Sequence, residues 1–104
     1  VIQARKRFGQ HFLHDPGVIE RIARAVHAGP EDHLLEIGPG RGALTHLLLG
    51  GDYASFDAIE IDRDLAASLR PTIALARDAT LHECDALDFD FQALATARGG
   101  RLRV

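Results

Sequence analysis

The stretch from Leu35 to Thr45 reads Leu-Glu-Ile-Gly-Pro-Gly-Arg-Gly-Ala-Leu-Thr, a short apolar run opening into three alternating glycines and then helix-forming residues. Glycines 38, 40 and 42 carry no Cβ, so the backbone there is free to turn sharply after a strand. A ligand can then lie against bare peptide. Strand, glycine loop and helix in that order form a nucleotide-cofactor loop. Two further acidic strand ends follow, at Glu60 and Asp85, and the three places together describe one site.

The flanking pattern agrees. Asp15 is a good N-cap and Pro16 suits a first helical position, with Val18, Ile19, Ile22, Ala23 and Val26 at helical spacing until Gly29 and Pro30. His33 to Ile37 is a buried-strand candidate, and Ala43 to Leu49 reads as a helix closed by Gly50, Gly51 and Asp52. Ser55 to Ile61 is a second strand, followed by a helix from Arg63 that Pro71 is expected to break or kink. Thr80 to Cys84 makes a third strand ending at Asp85. Asp90 to Ala97 is a short helix, Gly99-Gly100 a turn, and Arg101 to Val104 the start of a fourth strand.

Alternating strands and helices with short connections predict an α/β fold, a parallel sheet with helices on both faces. A sheet of three and a half strands leaves an edge unpaired and a face uncovered. Residues 1–104 are therefore expected to be the front part of a larger domain.

Composition removes several function classes. With 46% hydrophobic and 26% charged residues the chain is globular, and a formal charge of −3 gives no overall pull toward nucleic acid. Arg5, Lys6 and Arg7 precede the first acid, Asp15, and on charge alone they read as a solvated arm. The single cysteine, Cys84, excludes an internal disulfide and reads as a buried strand thiol, which fits a reducing, cytoplasmic setting. No apolar run approaches the roughly 18 residues of a membrane span, so no membrane association is expected. The six histidines are scattered without metal-ligand spacing, and no Ser-His-Asp or Cys-His arrangement stands out. No metal is expected, and the reactive chemistry has to come from a cofactor.

Two cofactors compete for the loop. Gly38-x-Gly40-x-x-Ala43 satisfies a relaxed dinucleotide fingerprint, and Glu60 lies near the distance expected of a ribose-binding acid. Yet Glu36 brings a carboxylate to the place a pyrophosphate needs, and Pro39 removes a backbone donor. S-adenosyl-L-methionine has no phosphate, and its sulfonium and amine gain from a nearby carboxylate. Alternatively, Glu36 only orients the loop by accepting backbone hydrogen bonds. Glu60 is the candidate for the ribose diol. Asp62 is its rival, although Asp62 precedes a helix and is expected to cap it. Asp85 either accepts from the adenine amine or serves as a cap or turn. Asp78, Asp88 and Asp90 read as turn and cap residues.

The head of the chain, Lys6-Arg-Phe-Gly-Gln-His-Phe-Leu-His-Asp15, resembles the N-terminal motif of the ribosomal RNA adenine dimethyltransferases. The same family is similar across Leu35 to Thr45, across Ala58-Ile-Glu-Ile-Asp-Arg-Asp-Leu65, and at Cys84-Asp-Ala86, in this order. The resemblance implies a Rossmann-like S-adenosylmethionine-dependent methyltransferase fold. It also implies transfer of two methyl groups to the N6 atoms of each of two adjacent adenines near the 3′ end of small-subunit rRNA, within a pre-ribosomal particle. By resemblance the cofactor contacts are His11, Leu13, Gly38, Glu60 and Asp85, and the parent is monomeric. His11 departs from the family pattern, where asparagine is common.

The family's next motif, Asn-Leu-Pro-Tyr, which holds the target amine, would follow shortly after Val104. No catalytic residue is therefore expected within these 104 residues, and the small helical C-terminal domain is likewise expected beyond them. The resemblance also turns the basic arm toward rRNA, with Phe8 either stacking on RNA or packing with Phe12 as a clasp over the cofactor. Two other readings stay open: a large-subunit rRNA adenine methyltransferase, and a non-catalytic rRNA-binding module.

Overall fold

The computed structural model describes residues 15–104. His11, Leu13 and the rest of the basic N-terminal motif before Asp15 lie outside the described residues.

Helix α1 spans Pro16–Val26 and starts where the sequence predicts, with Asp15 Oδ1 accepting from Gly17 N at 2.9 Å and Pro16 in its first turn. It ends earlier than Gly29, because His27 takes the left-handed conformation at φ 47°. Strand β1 is His33–Ile37, helix α2 is Ala43–Leu49, strand β2 is Ser55–Glu60, helix α3 is Arg63–Leu75, strand β3 is Ala79–Glu83 and helix α4 is Phe91–Ala97. A single 3₁₀ turn, Ala86–Asp88, separates β3 from α4.

The three strands run parallel in the order β1-β2-β3, with Leu34 opposite Phe56 and Phe56 opposite Ala79. The start of the expected fourth strand is present as one parallel bridge. Arg103 pairs with Leu34 on the free side of β1, donating to His33 O at 2.8 Å and accepting from Leu35 N at 2.7 Å.

Alternation along the strands sorts side chains onto two faces. Leu34, Phe56 and Ala58 point to one face and meet Leu69 and Ile73 of α3, with Val26 of α1 and Leu48 of α2 packed against them. Leu35 and Ile59 point to the other and meet Leu94 of α4, with Phe89 and Phe91 alongside. β2 is buried at every position, as the middle strand of a sheet covered on both sides must be.

Three local expectations change. Pro71 does not end its helix: α3 continues through it to Leu75. Pro71 cannot donate to the carbonyl of Ala67, but both residues lie on the exposed side of α3, while buried Leu69 and Ile73 hold the helix to the sheet. β2 stops at Glu60, because the Glu60 carboxylate accepts from Asp62 N at 2.9 Å and turns the chain into the α3 cap. β3 runs one residue earlier than expected at both ends. That leaves Cys84 half-buried just beyond the strand, against the Leu35, Ile59 and Leu94 cluster, rather than a fully buried strand thiol.

One polar cluster had no sequence signal. Asp57 in the middle of β2 is fully buried and is held by Arg98 Nε and Nη2 at 3.1 and 3.0 Å and by His82 Nε2 at 2.8 Å. It ties β2, β3 and the end of α4 into one unit.

Candidate cofactor site at the carboxyl edge of the sheet

The glycine loop leaves β1 and doubles back over the carboxyl edge before entering α2. Gly38, Gly40 and Gly42 all have positive φ, at 71°, 59° and 85°, a region that side chains with a Cβ rarely adopt. Gly38 N donates to Ile59 O at 2.8 Å and Gly42 N to Pro39 O at 2.9 Å, so the loop is pinned to β2 and to itself. A Cβ built on Gly38 or Gly40 would meet nothing within 4 Å. That is open space above bare backbone. Gly42 is different: a Cβ there would overlap the side chain of Leu69, so this glycine lets α3 approach the loop.

Glu60 is the centre of the arrangement. It is almost wholly buried, and its two carboxylate oxygens accept from Gly40 N at 3.0 Å and Asp62 N at 2.9 Å. Glu60 thereby also braces the residue that caps α3. Asp62 is that cap, as expected, with its Oδ1 accepting from Asp64 N and Leu65 N at 2.9 and 3.0 Å. A carboxylate has about four acceptor positions, so two amides leave Glu60 able to accept further hydrogen bonds.

Glu36 lies on the same face of the sheet, one strand over. It does not orient the loop through backbone hydrogen bonds; Glu60 does that. Glu36 Oε1 instead accepts from the hydroxyl of Thr45 at 2.6 Å. Thr45 on α2 is fully buried, and the sequence reading missed it: a threonine on the inward side of a leucine-rich helix is the only trace it leaves. Burial pushes the Glu36 carboxyl up to about 7, the Thr45 hydrogen bond opposes the rise, and the charge of Glu60 adds to it.

Asp85 lies two residues beyond β3, at the same edge of the sheet. Its Oδ1 accepts from Leu87 N at 2.9 Å and so caps the 3₁₀ turn, the alternative weighed for it in the sequence. Apolar side chains stand next to the acids: Ile61 after Glu60 is 61% exposed and Leu87 after Asp85 is 92% exposed. Gly38, Glu60 and Asp85 thus come from the ends of three adjacent parallel strands, where α/β sheets bind ligands.

Residues 1–103 match the sequence profile described as ribosomal RNA adenine dimethylase. The chain belongs to this family. It is similar to the ribosomal RNA small subunit methyltransferase A of Pseudomonas fluorescens, 56% identical over 102 residues that make up 98% of this chain and 37% of that protein. Among solved structures it is similar to a dimethyladenosine transferase from Plasmodium falciparum, at TM-score 0.66 and 28% identity over 74% of this chain and 28% of that one. It is also similar to the 23S rRNA methyltransferase ErmE, at TM-score 0.64 and 33% identity over 73% of this chain and 31% of that one. The chain therefore spans little more than a third of the length of the curated relatives it matches. Its fold is the Rossmann-like fold of these methyltransferases, here a three-stranded parallel sheet with flanking helices.

Proposed function

We propose that residues 1–104 are the N-terminal, cofactor-binding part of an S-adenosylmethionine-dependent methyltransferase, and that the whole protein dimethylates two adjacent adenines near the 3′ end of small-subunit rRNA. The observation that carries the cofactor choice is the hydrogen bond from Gly40 N to Glu60 Oε1. A pyrophosphate on this loop would need that amide, and would sit beside the Glu60 carboxylate that already occupies it. A cationic, phosphate-free cofactor meets no such obstacle.

Gly38 and Gly40 offer open backbone for the cofactor's methionine end, Glu60 accepts from the ribose hydroxyls, and Asp85 accepts from the adenine amine. Ile61 and Leu87 supply apolar contact for the purine. By family resemblance His11 and Leu13 complete the cofactor contacts. When bound, S-adenosylmethionine supplies an electrophilic methyl on a sulfonium, and transfer leaves a neutral thioether. The chain's share of catalysis is to fix that methyl in place, because an adenine amine is a weak nucleophile and gains most from orientation. The target-amine motif lies beyond Val104 in this reading. The parent is a cytoplasmic monomer that recognises rRNA in a pre-ribosomal particle.

Identity to the small-subunit relative favours that target, whereas the likeness to ErmE favours a large-subunit adenine. The higher identity supports the small-subunit target. The test is to incubate the full-length protein and labelled S-adenosylmethionine with unmodified small-subunit and large-subunit particles, then identify the modified nucleoside. N6,N6-dimethyladenosine in the small-subunit rRNA is expected. Label confined to the large subunit, or no label in either, overturns the assignment.

A further inference from the structure

Glu36 and Glu60 stand on one face of neighbouring parallel strands. Glu36 is opposite Ala58, which places Glu60 two residues nearer the carboxyl edge. The two carboxylates are treated differently by the fold. Glu60 is held by two backbone amides, Glu36 by one buried hydroxyl. Among the described residues no lysine, arginine or histidine lies in ion-pairing range of Glu36. Arg103 borders the same cavity but is turned to Asp32 Oδ2 at 3.1 Å and to the carbonyl of Val26. On α2 the group facing Glu36 is Thr45, and His46 beside it is exposed. The charge that acts on Glu36 is that of Glu60, and it is of the same sign.

A buried carboxyl with a hydroxyl donor, a like-charged neighbour and no cation holds its proton near neutral pH. A positive charge arriving beside it reverses that balance. Resting on the cofactor reading above, we propose that Glu36 discriminates S-adenosylmethionine from its neutral-sulfur product by exchanging a proton with solvent. Glu36 gives up one proton when the sulfonium binds, and takes one back once the methyl has moved from sulfur to the amine nitrogen. The C–S electron pair stays on sulfur, and the methylated amine loses its own proton to water. Ionised Glu36 thus favours the charged cofactor, and protonated Glu36 removes that preference so that product leaves.

The sign follows from the carboxyl. Cofactor affinity rises with pH through about 7 and levels off above it, while product affinity stays nearly flat. The experiment is calorimetric titration of the full-length protein with S-adenosylmethionine and, separately, S-adenosylhomocysteine at pH 6, 7 and 8, in two buffers of different ionisation enthalpy. S-adenosylmethionine is expected to bind about tenfold more tightly at pH 8 than at pH 6, with proton release near pH 6.5. Glu36→Gln is expected to flatten that slope. His11→Asn, which removes the imidazole that family resemblance assigns to the cofactor contacts, is expected to keep it.

A flat profile without proton release overturns the proposal, as does a slope that survives Glu36→Gln and disappears in His11→Asn. If Glu36→Gln does not fold, the proton count and the cofactor-to-product difference in the unmutated protein decide. Failure of S-adenosylmethionine to bind at any pH is a separate result, and it removes the cofactor reading itself.

Discussion

Gly40 and Glu60, 20 residues apart in sequence, are joined by a hydrogen bond of 3.0 Å from backbone amide to carboxylate, which fastens the glycine loop to the end of the neighbouring strand. The same carboxylate accepts from Asp62 N, so one side chain sets both the loop and the start of α3. Glu60→Ala leaves two amides without their acceptor and removes the proposed ribose contact. It is expected to weaken S-adenosylmethionine binding by about 1 to 3 kcal/mol and to raise amide hydrogen exchange at Gly40. Unchanged affinity with normal methyl transfer would take Glu60 out of the site.

The loop glycines are expected to fail in different ways. Gly42→Ala combines a φ of 85° with overlap against Leu69, and should destabilise the fold by about 1 to 3 kcal/mol. Gly38→Ala has the conformational strain without the overlap, so its cost to stability is expected to be about 1 to 2 kcal/mol. Its new methyl, however, stands in the open space assigned to the cofactor. Denaturant unfolding and cofactor titration on both variants should show Gly42→Ala weaker in stability and Gly38→Ala weaker in binding. The reverse order would mean that the space above Gly38 is not where the ligand lies.

Much of this arrangement was legible in the chain because the signals are local. Asp15-Pro16 marks a helix start through its own side-chain and ring chemistry, and the alternating glycines at 38, 40 and 42 mark a sharp turn after a strand. The acids at 60 and 85 were placed at strand ends by hydrophobic pattern alone. What the sequence hid depends on partners far away in the chain. Asp57 reads as a polar interruption in a strand until Arg98, 41 residues on, and His82 close around it. Pro71 reads as a breaker because propensity cannot know that its lost hydrogen bond falls on the water side of α3. The second function of Glu60, as acceptor for the loop amide, was hidden for the same reason.

Asp57 and Arg98 should respond unequally to removal of their partner. Arg98 is 29% exposed at its side chain and can turn to water, as can His82, whereas Asp57 is 0% exposed. Arg98→Ala strands a buried carboxylate with His82 alone and is expected to cost on the order of 3 kcal/mol. Asp57→Ala strands no charge away from water and should cost less. The double variant should be milder than Arg98→Ala, a non-additivity that chemical denaturation of the two single variants and the double variant will measure.

Glu36 also makes fold stability depend on pH, independently of any ligand. Its carboxyl is raised from 4.5 to about 7, so the folded state holds a proton that the unfolded chain releases between those values. The contribution is fully present below pH 4.5, declines as pH rises from there to about 7, and is gone above. The full span is up to about 3 kcal/mol, taking 1.36 kcal/mol for each pH unit of separation. Glu36→Gln keeps an acceptor for the Thr45 hydroxyl and cannot ionise. It should therefore be close to neutral at pH 5 and stabilising at pH 8. Thermal unfolding of the full-length protein and this variant at the two pH values, without cofactor, tests the assignment. Equal stability differences at pH 5 and pH 8 would show that the Glu36 carboxyl titrates in its ordinary range, and that the fold does not hold its proton.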